Sequence, residues 1–101
     1  MIWITVTRTE DHISCLEIKG HAGSDDYGHD LVCAVVSGIA VGMANAADQL
    51  LKEDDIIVDE GYVRIHIQKP DDKSDLIMKT GLIELQTAAE VNQDYIRITE
   101  V

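Results

Sequence analysis

The sequence contains no phenylalanine, and aromatic residues make up only 4% of its 101 positions. Because aromatic side chains are the largest apolar groups, the core must instead be built from Ile, Leu, Val, Ala and Met. Apolar residues still account for 46% of the chain and charged residues for 27%, which is typical of a globular protein. At this length we expect a single domain that spans residues 1–101.

Basic residues are also scarce, since 8 Lys and Arg stand against 19 Asp and Glu and leave a net charge of −11. Binding to a nucleic-acid backbone requires a basic surface that neutralises phosphates, so we expect no direct contact with nucleic acid. The acidity suits a basic polypeptide partner, or it serves solubility alone. The sequence leaves both of these alternatives open.

The sequence shows neither an export signal nor a clear membrane anchor. Met1 leads directly into an alternating segment and is not followed by the basic region of a signal peptide. No apolar run looks long enough to span a bilayer, so no membrane contact is expected. The two cysteines, Cys15 and Cys33, are therefore expected to be thiols in the reducing cytoplasm.

Alternating apolar residues predict five short strands. Two of them cover residues 2–7 and 13–19, two flank a turn at residues 60–61, and the last covers 95–99. With a helix after the second strand and another after the fourth, the element order is ββαββαβ. This order predicts an α+β two-layer sandwich, with two helices on a mostly antiparallel sheet.

The first predicted helix runs to about residue 51 and is apolar on nearly all sides, which indicates a buried helix. Gly38 and Gly42 lie four residues apart in it and lower its helix propensity. Their expected use is close approach of another backbone, which in so small a domain suggests a second subunit. The second helix is expected to be capped by Ser74 or Asp75, and Gly81 is a weak point inside it.

A glycine-punctuated segment, residues 20–28, joins the second strand to the first helix. Gly20, Gly23 and Gly28 supply backbone freedom, and the segment is long for a connection, so we predict a functional loop. Asp30 is the expected N-cap of the helix. That assignment places Cys33 in the first helical turn.

Cys33 and His21 form a candidate nucleophile and base. A helix N-terminus and a nearby imidazolium both favour the thiolate, which is the reactive form of cysteine. Asp30 either opposes that charge or orients the imidazole as a hydrogen-bond acceptor. Ser37 lies one turn beyond Cys33, where its hydroxyl donates to the thiolate, to a substrate carbonyl, or back to its own helix.

Other interpretations of the histidines and cysteines are possible. His29, four residues before Cys33, is a rival base if the helix starts earlier. A zinc site built from Cys15, His21, His29 and Cys33 is conceivable, but the spacing fits no common zinc pattern, and we expect neither a metal nor a cofactor. Cys15 is interpreted as a small strand residue, and His66 as a solvated one.

The sequence around these residues resembles the family of ribosomal-processing cysteine proteases called Prp. The resemblance is carried by two linked motifs, Gly20-His21-Ala22-Gly23 and Tyr27-Gly28-His29-Asp30-Leu31-Val32-Cys33-Ala34-Val35-Val36-Ser37. It implies a bacterial cytoplasmic endopeptidase that removes the short N-terminal extension of a large-subunit ribosomal protein precursor. It further implies a homodimer with a mobile histidine loop, Cys33 as nucleophile, His21 as its partner, and supporting roles for Asp30 and Ser37.

These observations lead to a mechanistic hypothesis of acyl transfer. Cys33 attacks the scissile carbonyl, His21 transfers the proton, backbone N–H groups of the first helical turn hold the oxyanion, and the glycine loop closes over the peptide. The alternative is a non-enzymatic protein of the same fold that binds a ribosomal protein or assists ribosome assembly. A thiol redox or zinc protein is a third possibility.

Overall fold

The computed structural model describes residues 1–20 and 27–101, and of residues 27–30 it describes the backbone alone. It confirms the predicted order ββαββαβ. The elements are β1 (Ile2–Thr9), β2 (His12–Lys19), α1 (Tyr27–Leu51), β3 (Ile56–Asp59), β4 (Tyr62–His66), α2 (Asp72–Glu90) and β5 (Ile96–Glu100).

The five strands form one sheet in the order β3-β4-β2-β1-β5. All neighbouring pairs are antiparallel except β1 and β5, which are parallel, so the prediction of a mostly antiparallel sheet is confirmed. Both helices contact each other and pack on the same face of the sheet. In the described part of the chain, no element covers the opposite face.

The core between helices and sheet is aliphatic, as the missing phenylalanine requires. Strand residues alternate, so that every second side chain points towards the helices. The largest fully buried side chains are Ile2, Ile4, Val6, Ile13, Leu16, Ile65, Ile67, Met78 and Leu85. Val32, Val36, Ala40 and Met43 bring the inner side of α1 onto this layer.

Gly81 is explained by the contact between the two helices. A Cβ atom built on Gly81 would overlap the side chain of Met43 on α1. Glycine costs a helix about 1 kcal/mol relative to alanine. That cost is offset here because the absence of a side chain lets the buried Met43 pack directly against the backbone of α2.

The start of α2 differs from the expected one. Asp71 is the N-cap, and its Oδ1 accepts a hydrogen bond from the Ser74 backbone N–H at 2.8 Å. Ser74 Oγ accepts in turn from the Asp71 N–H at 2.9 Å, which completes a capping box. The prediction that Ser74 or Asp75 caps this helix is therefore wrong, because Ser74 acts as the third helical residue of the box.

The start of α1 also differs from the expected one. The helix begins at Tyr27, so Gly28 and Asp30 lie within it. The prediction that Gly28 ends the loop and the prediction that Asp30 caps the helix are both wrong. Gly28 adds a third glycine to α1, besides Gly38 and Gly42, and a helix of this length tolerates its cost of about 1 kcal/mol. In the sequence, Ser24, Asp25 and Asp26 are earlier residues of the capping type.

The outer side of α1 is apolar but uncovered in a single chain. The segment Leu31–Leu51 has a mean hydropathy of 1.7 and is long and apolar enough to cross a membrane, but only by length and composition. The expectation that no run is long enough is thus wrong by that criterion. Only 33% of the window is buried, and Leu31 and Val35 are half-exposed. The expectation that the helix is buried on all sides is therefore also wrong.

Asp75 ties the start of α2 to the turn between β1 and β2. Its buried carboxylate accepts from the Ile13 N–H at 2.9 Å and lies 2.6 Å from His12 Nδ1 and 3.3 Å from Lys79 Nζ. Burial raises the pKa of Asp75, but the hydrogen bonds outweigh it and hold that pKa below the ordinary 3.8. The hydrogen bond to Asp75, aided by the charge of Asp72, raises the pKa of His12 above 6.5.

This pair predicts a pH window for stability. The Asp75 contribution is present above pH 3.8 and is lost as the pH falls through the lowered pKa of Asp75. The His12 contribution is present below pH 6.5 and is lost as the pH rises through the raised pKa of His12. Asp75→Asn should therefore destabilise the protein most at about pH 5 and less at about pH 9, as measured by urea unfolding.

Asp48→Asn is the matched control, because Asp48 is an exposed residue of α1. It should change the free energy of unfolding little and equally at each pH. A difference between wild type and Asp75→Asn that stays constant as the pH rises would contradict the assignment.

Candidate active site

A small cavity of about 60 Å³ lies between α1 and one end of the sheet. Cys33, Val36, Ser37 and Ala40 line it from the helix. The sheet contributes residues that come from four different strands or the turns next to them: Ile2, Ile18, Gly20, Asp59, Gly61, Tyr62 and Val63. The cavity is therefore a meeting point of distant parts of the sequence, with a thiol and a hydroxyl on one wall.

Cys33 is half-buried and packs against the hydrophobic core. Because α1 begins at Tyr27, Cys33 lies in the second turn of the helix, and the prediction of a first-turn position is wrong. The effect of a helix dipole falls off within the first turn, so it favours the thiolate less here than expected. The Cys33 N–H also lies inside the helical hydrogen-bond ladder, so it is not available to an oxyanion.

Ser37 shares the cavity with Cys33, as the spacing predicts. It lies one turn further along α1 and is exposed. Helical side chains lean towards the N-terminus of their helix, so the Ser37 hydroxyl lies over the turn that carries Cys33. From this position the Ser37 hydroxyl is suited to donate a hydrogen bond to a carbonyl group that reacts with the Cys33 thiol.

Gly20 fixes the point at which the chain leaves β2. Its N–H donates to Gly61 O at 3.0 Å, and its φ is +105°. A Cβ atom here would overlap the Met1 carbonyl oxygen, so the position requires glycine for space as well as for conformation. The predicted histidine loop therefore starts from an anchor that lines the same cavity as Cys33.

The structure describes the remaining predicted site residues only in part. His21 and Gly23 lie outside the described residues, so the role of His21 stays a prediction. The helix places positions 29 and 30 four and three residues before Cys33, which is one turn away on the same side. The side chains of His29 and Asp30 lie outside the described part, so the rival base and the orienting carboxylate both stay predictions.

The turn between β3 and β4 supplies cavity residues that the sequence did not identify. Asp59, Gly61 and Tyr62 line the cavity together with Cys33. Asp59 Oδ1 accepts from the Glu60 N–H at 2.7 Å, and Tyr62 Oη donates to Glu17 Oε2 at 2.7 Å. The pattern at residues 60–61 did predict a hairpin, but nothing in it predicts that this hairpin reaches the first helix.

Cys15 lies on the opposite face of the sheet from Cys33. Its register partners are Thr7 and His66, whereas Cys33 packs on the helix side. This excludes a disulfide between the two cysteines and a zinc site that contains both. Among residues 1–20 and 31–101, whose side chains the structure describes, no group of three or more His, Cys, Asp or Glu residues could hold a metal ion.

The surroundings of Cys15 do not activate its thiol. Burial raises the pKa of Cys15, and the nearby Arg64 offsets this only in part. His66, expected to be solvated, instead has its Nδ1 at 2.8 Å from Asp55 Oδ2. Cys15 is therefore a structural residue of the strand, which agrees with its interpretation from the sequence.

Comparison with solved structures shows which class of protein has this fold. The chain is similar over its whole length to the crystal structure of an essential ribosomal processing protease from Staphylococcus aureus with a substrate peptide (TM-score 0.88, 32% identity, 100% of both chains). A second structure of that protease, with a covalently linked product peptide, matches with a TM-score of 0.85 and 33% identity over 100% of both chains. The fold is thus that of a small processing protease.

The sequence comparison identifies the family. The ribosomal processing cysteine protease Prp of Staphylococcus aureus is 36% identical over 103 residues, covering 97% of each chain. The family model described as cysteine protease Prp matches residues 1–97. The chain therefore belongs to the cysteine protease Prp family, as its motifs indicate, and it is a cysteine protease.

The two thiols should differ in reactivity. Because burial raises the pKa of Cys15, iodoacetamide at neutral pH should modify Cys33 well before Cys15. Peptide mass spectrometry after short exposures measures the two sites separately. The variants Cys15→Ser and Cys33→Ser are matched controls, and faster labelling at Cys15 would contradict the assignment of the reactive thiol.

Proposed function

We propose that this protein is an endopeptidase of the bacterial cytoplasm that removes the N-terminal extension of a large-subunit ribosomal protein precursor. The observation that supports it most is the position of Cys33 in a cavity of a fold whose relative carries a covalently linked product peptide. The proposal treats residues 1–101 as one catalytic domain that uses neither metal nor cofactor. With a net charge of −11, the partner is a basic protein rather than nucleic acid.

The proposed first step is acylation of Cys33. His21 accepts the thiol proton, Cys33 Sγ attacks the scissile carbonyl carbon, and a tetrahedral oxyanion forms. The C–N bond then breaks, and the leaving amine takes its proton from His21. Asp30, on the same side of α1, is proposed to orient the imidazole.

Deacylation reverses these roles. His21 removes a proton from water, the hydroxide attacks the thioester, and Cys33 leaves as a thiolate that regains its proton. Ser37 is the proposed donor to the oxyanion in both steps, because the Cys33 N–H is held within the helix. The segment that follows Gly20 is proposed to close over the peptide and bring His21 to the thiol.

Cleavage of the extended precursor tests the proposal. Cys33→Ala and His21→Ala should each lower kcat by about a thousandfold or more, because each removes a member of one catalytic unit. Mass spectrometry of the precursor and its product measures the cleavage and locates the bond.

Cys15→Ala is the matched control and should retain full activity, since Cys15 lies on the other face of the sheet. A wild-type protein that binds the precursor but never cuts it would favour the assembly-factor alternative. Full activity in Cys33→Ala would contradict the assigned nucleophile.

We further propose that the protein is a homodimer through the outer face of α1 and α2. A groove of about 490 Å³ runs between these helices, with Gly38 and Gly42 on one side and Leu76 and Ile77 on the other. Val35 is 50% exposed and Leu76 is 74% exposed, so a continuous apolar face lacks a cover in one chain. A second copy supplies the same apolar face and covers it by symmetry.

The glycines of this face allow a sharp test. A Cβ atom on Gly42 would meet nothing within 4 Å, so Gly42→Gln should leave the single chain folded while it blocks close approach of a second backbone. Light scattering should give twice the 11.2 kDa chain mass for wild type and one chain mass for Gly42→Gln.

Gln86→Ala, an exposed change on a side of α2 that does not line the groove, is the control and should remain dimeric. A wild-type protein of single-chain mass would contradict the proposal. Flotation of that protein with lipid vesicles would then indicate that a membrane covers the face instead.

A further inference from the structure

β3 forms one edge of the sheet and is bonded to β4 alone. Its other side carries backbone groups that pair with no strand in the described chain. Ile57 is 45% exposed and Val58 is 51% exposed, so apolar side chains border this edge. An exposed edge strand of this kind is a template for another extended chain.

The hydrogen-bond phase of the β3–β4 pair shows which backbone groups are available. The His66 N–H donates to Asp55 O at 3.1 Å, so these two residues form a hydrogen-bonded pair. Such pairs alternate along an antiparallel ladder, and the register therefore makes Ile57 and Asp59 face β4. Ile56 and Val58 consequently direct their N–H and C=O groups outwards, away from the sheet.

The same edge leads directly into the candidate active site. Asp59, the last residue of β3, lines the cavity that contains Cys33 and Ser37. A peptide added beside β3 would lie about 4.8 Å from it, which is the normal spacing of strands. It would thus extend past the mouth of the cavity with its backbone already held.

The opposite edge of the sheet has no such relation to the site. β5 contributes no residue to the cavity, whereas β3 does. The apolar helix face is a separate surface on α1 and α2, to which no residue of β3 contributes. An extended substrate is therefore the occupant that continuity with the cavity favours at β3.

The charges around β3 indicate the chemistry of that substrate. Asp54 precedes the strand, Asp59 ends it and Glu60 follows it, and all three are exposed. A peptide that carries Lys or Arg residues is attracted to such a border, and its backbone needs no particular sequence to pair with the strand.

We propose that β3 is the docking strand for the substrate. A basic, extended peptide segment adds to the sheet through backbone hydrogen bonds with Ile56 and Val58, and this places its scissile bond at the Cys33 cavity. The proposal rests on the proposed function for the identity of the peptide. The docking itself is measurable without any cleavage.

Val58→Pro tests the docking, because proline removes the outward N–H of Val58 and leaves the bonds to β4 in place. Proline is tolerated on an edge strand when the missing N–H faces solvent. The probe is a fluorescent peptide that covers the N-terminal extension of the ribosomal protein precursor. Binding is measured by anisotropy in a Cys33→Ala background, and cleavage in the wild-type background.

Val58→Pro should weaken binding and lower kcat/KM by about three- to tenfold, the equivalent of one backbone hydrogen bond. Val58→Thr keeps the N–H and the branched shape, and it should stay within about twofold of wild type. Glu100→Pro is a control at the opposite edge, where the Val101 N–H donates to Val6 O and the Glu100 N–H therefore faces outwards.

The substrate side gives an independent measurement that does not depend on the folding of Val58→Pro. N-methylation of successive peptide bonds in the probe should weaken binding at alternate positions, because only every second N–H faces β3. Equal binding by Val58→Pro and Val58→Thr, or an N-methyl profile without a period of two, would overturn the docking. Binding with this period but no cleavage by wild type would support the docking and contradict the protease proposal.

Discussion

The packing of α1 across the sheet is the contact on which the rest of this structure depends. Val32, Val36 and Ala40 hold one side of the helix against the strands, and Met43 locks it to α2 at Gly81. With that side fixed, Cys33 has to lie at the border between core and cavity. The rotation of α1 about its own axis thus determines both which side chains enter the core and where Cys33 lies, and a change in that rotation would alter both.

The strands were predictable because their signal is local. Alternation of apolar and polar residues marks each strand, and the turn residues at positions 60–61 predict the hairpin of β3 and β4. What alternation does not contain is which strands are neighbours. The parallel pairing of β1 with β5 and the edge position of β3 depend on contacts between distant residues, so they became visible only in three dimensions.

Helix limits were less predictable, for a specific reason. Several residues of the capping type precede each helix, and the sequence alone does not decide among them. Asp30 was expected to cap α1, which begins at Tyr27, and Ser74 was expected to cap α2, where Asp71 does so. For the site, the motif identified Cys33 and Ser37, whereas Asp59 and Gly61 reach the cavity through tertiary structure alone.

The pairing of β5 with β1 has a consequence for biosynthesis. The sheet is completed only when residues 96–100 add beside residues 2–6, so a nascent chain cannot finish the domain until residue 100 has left the ribosome. Until then one edge of β1 is unpaired, and α2 lacks its contacts with β5. During that interval the exposed strand edge is prone to aggregation, so chaperone binding to the nascent chain would protect it.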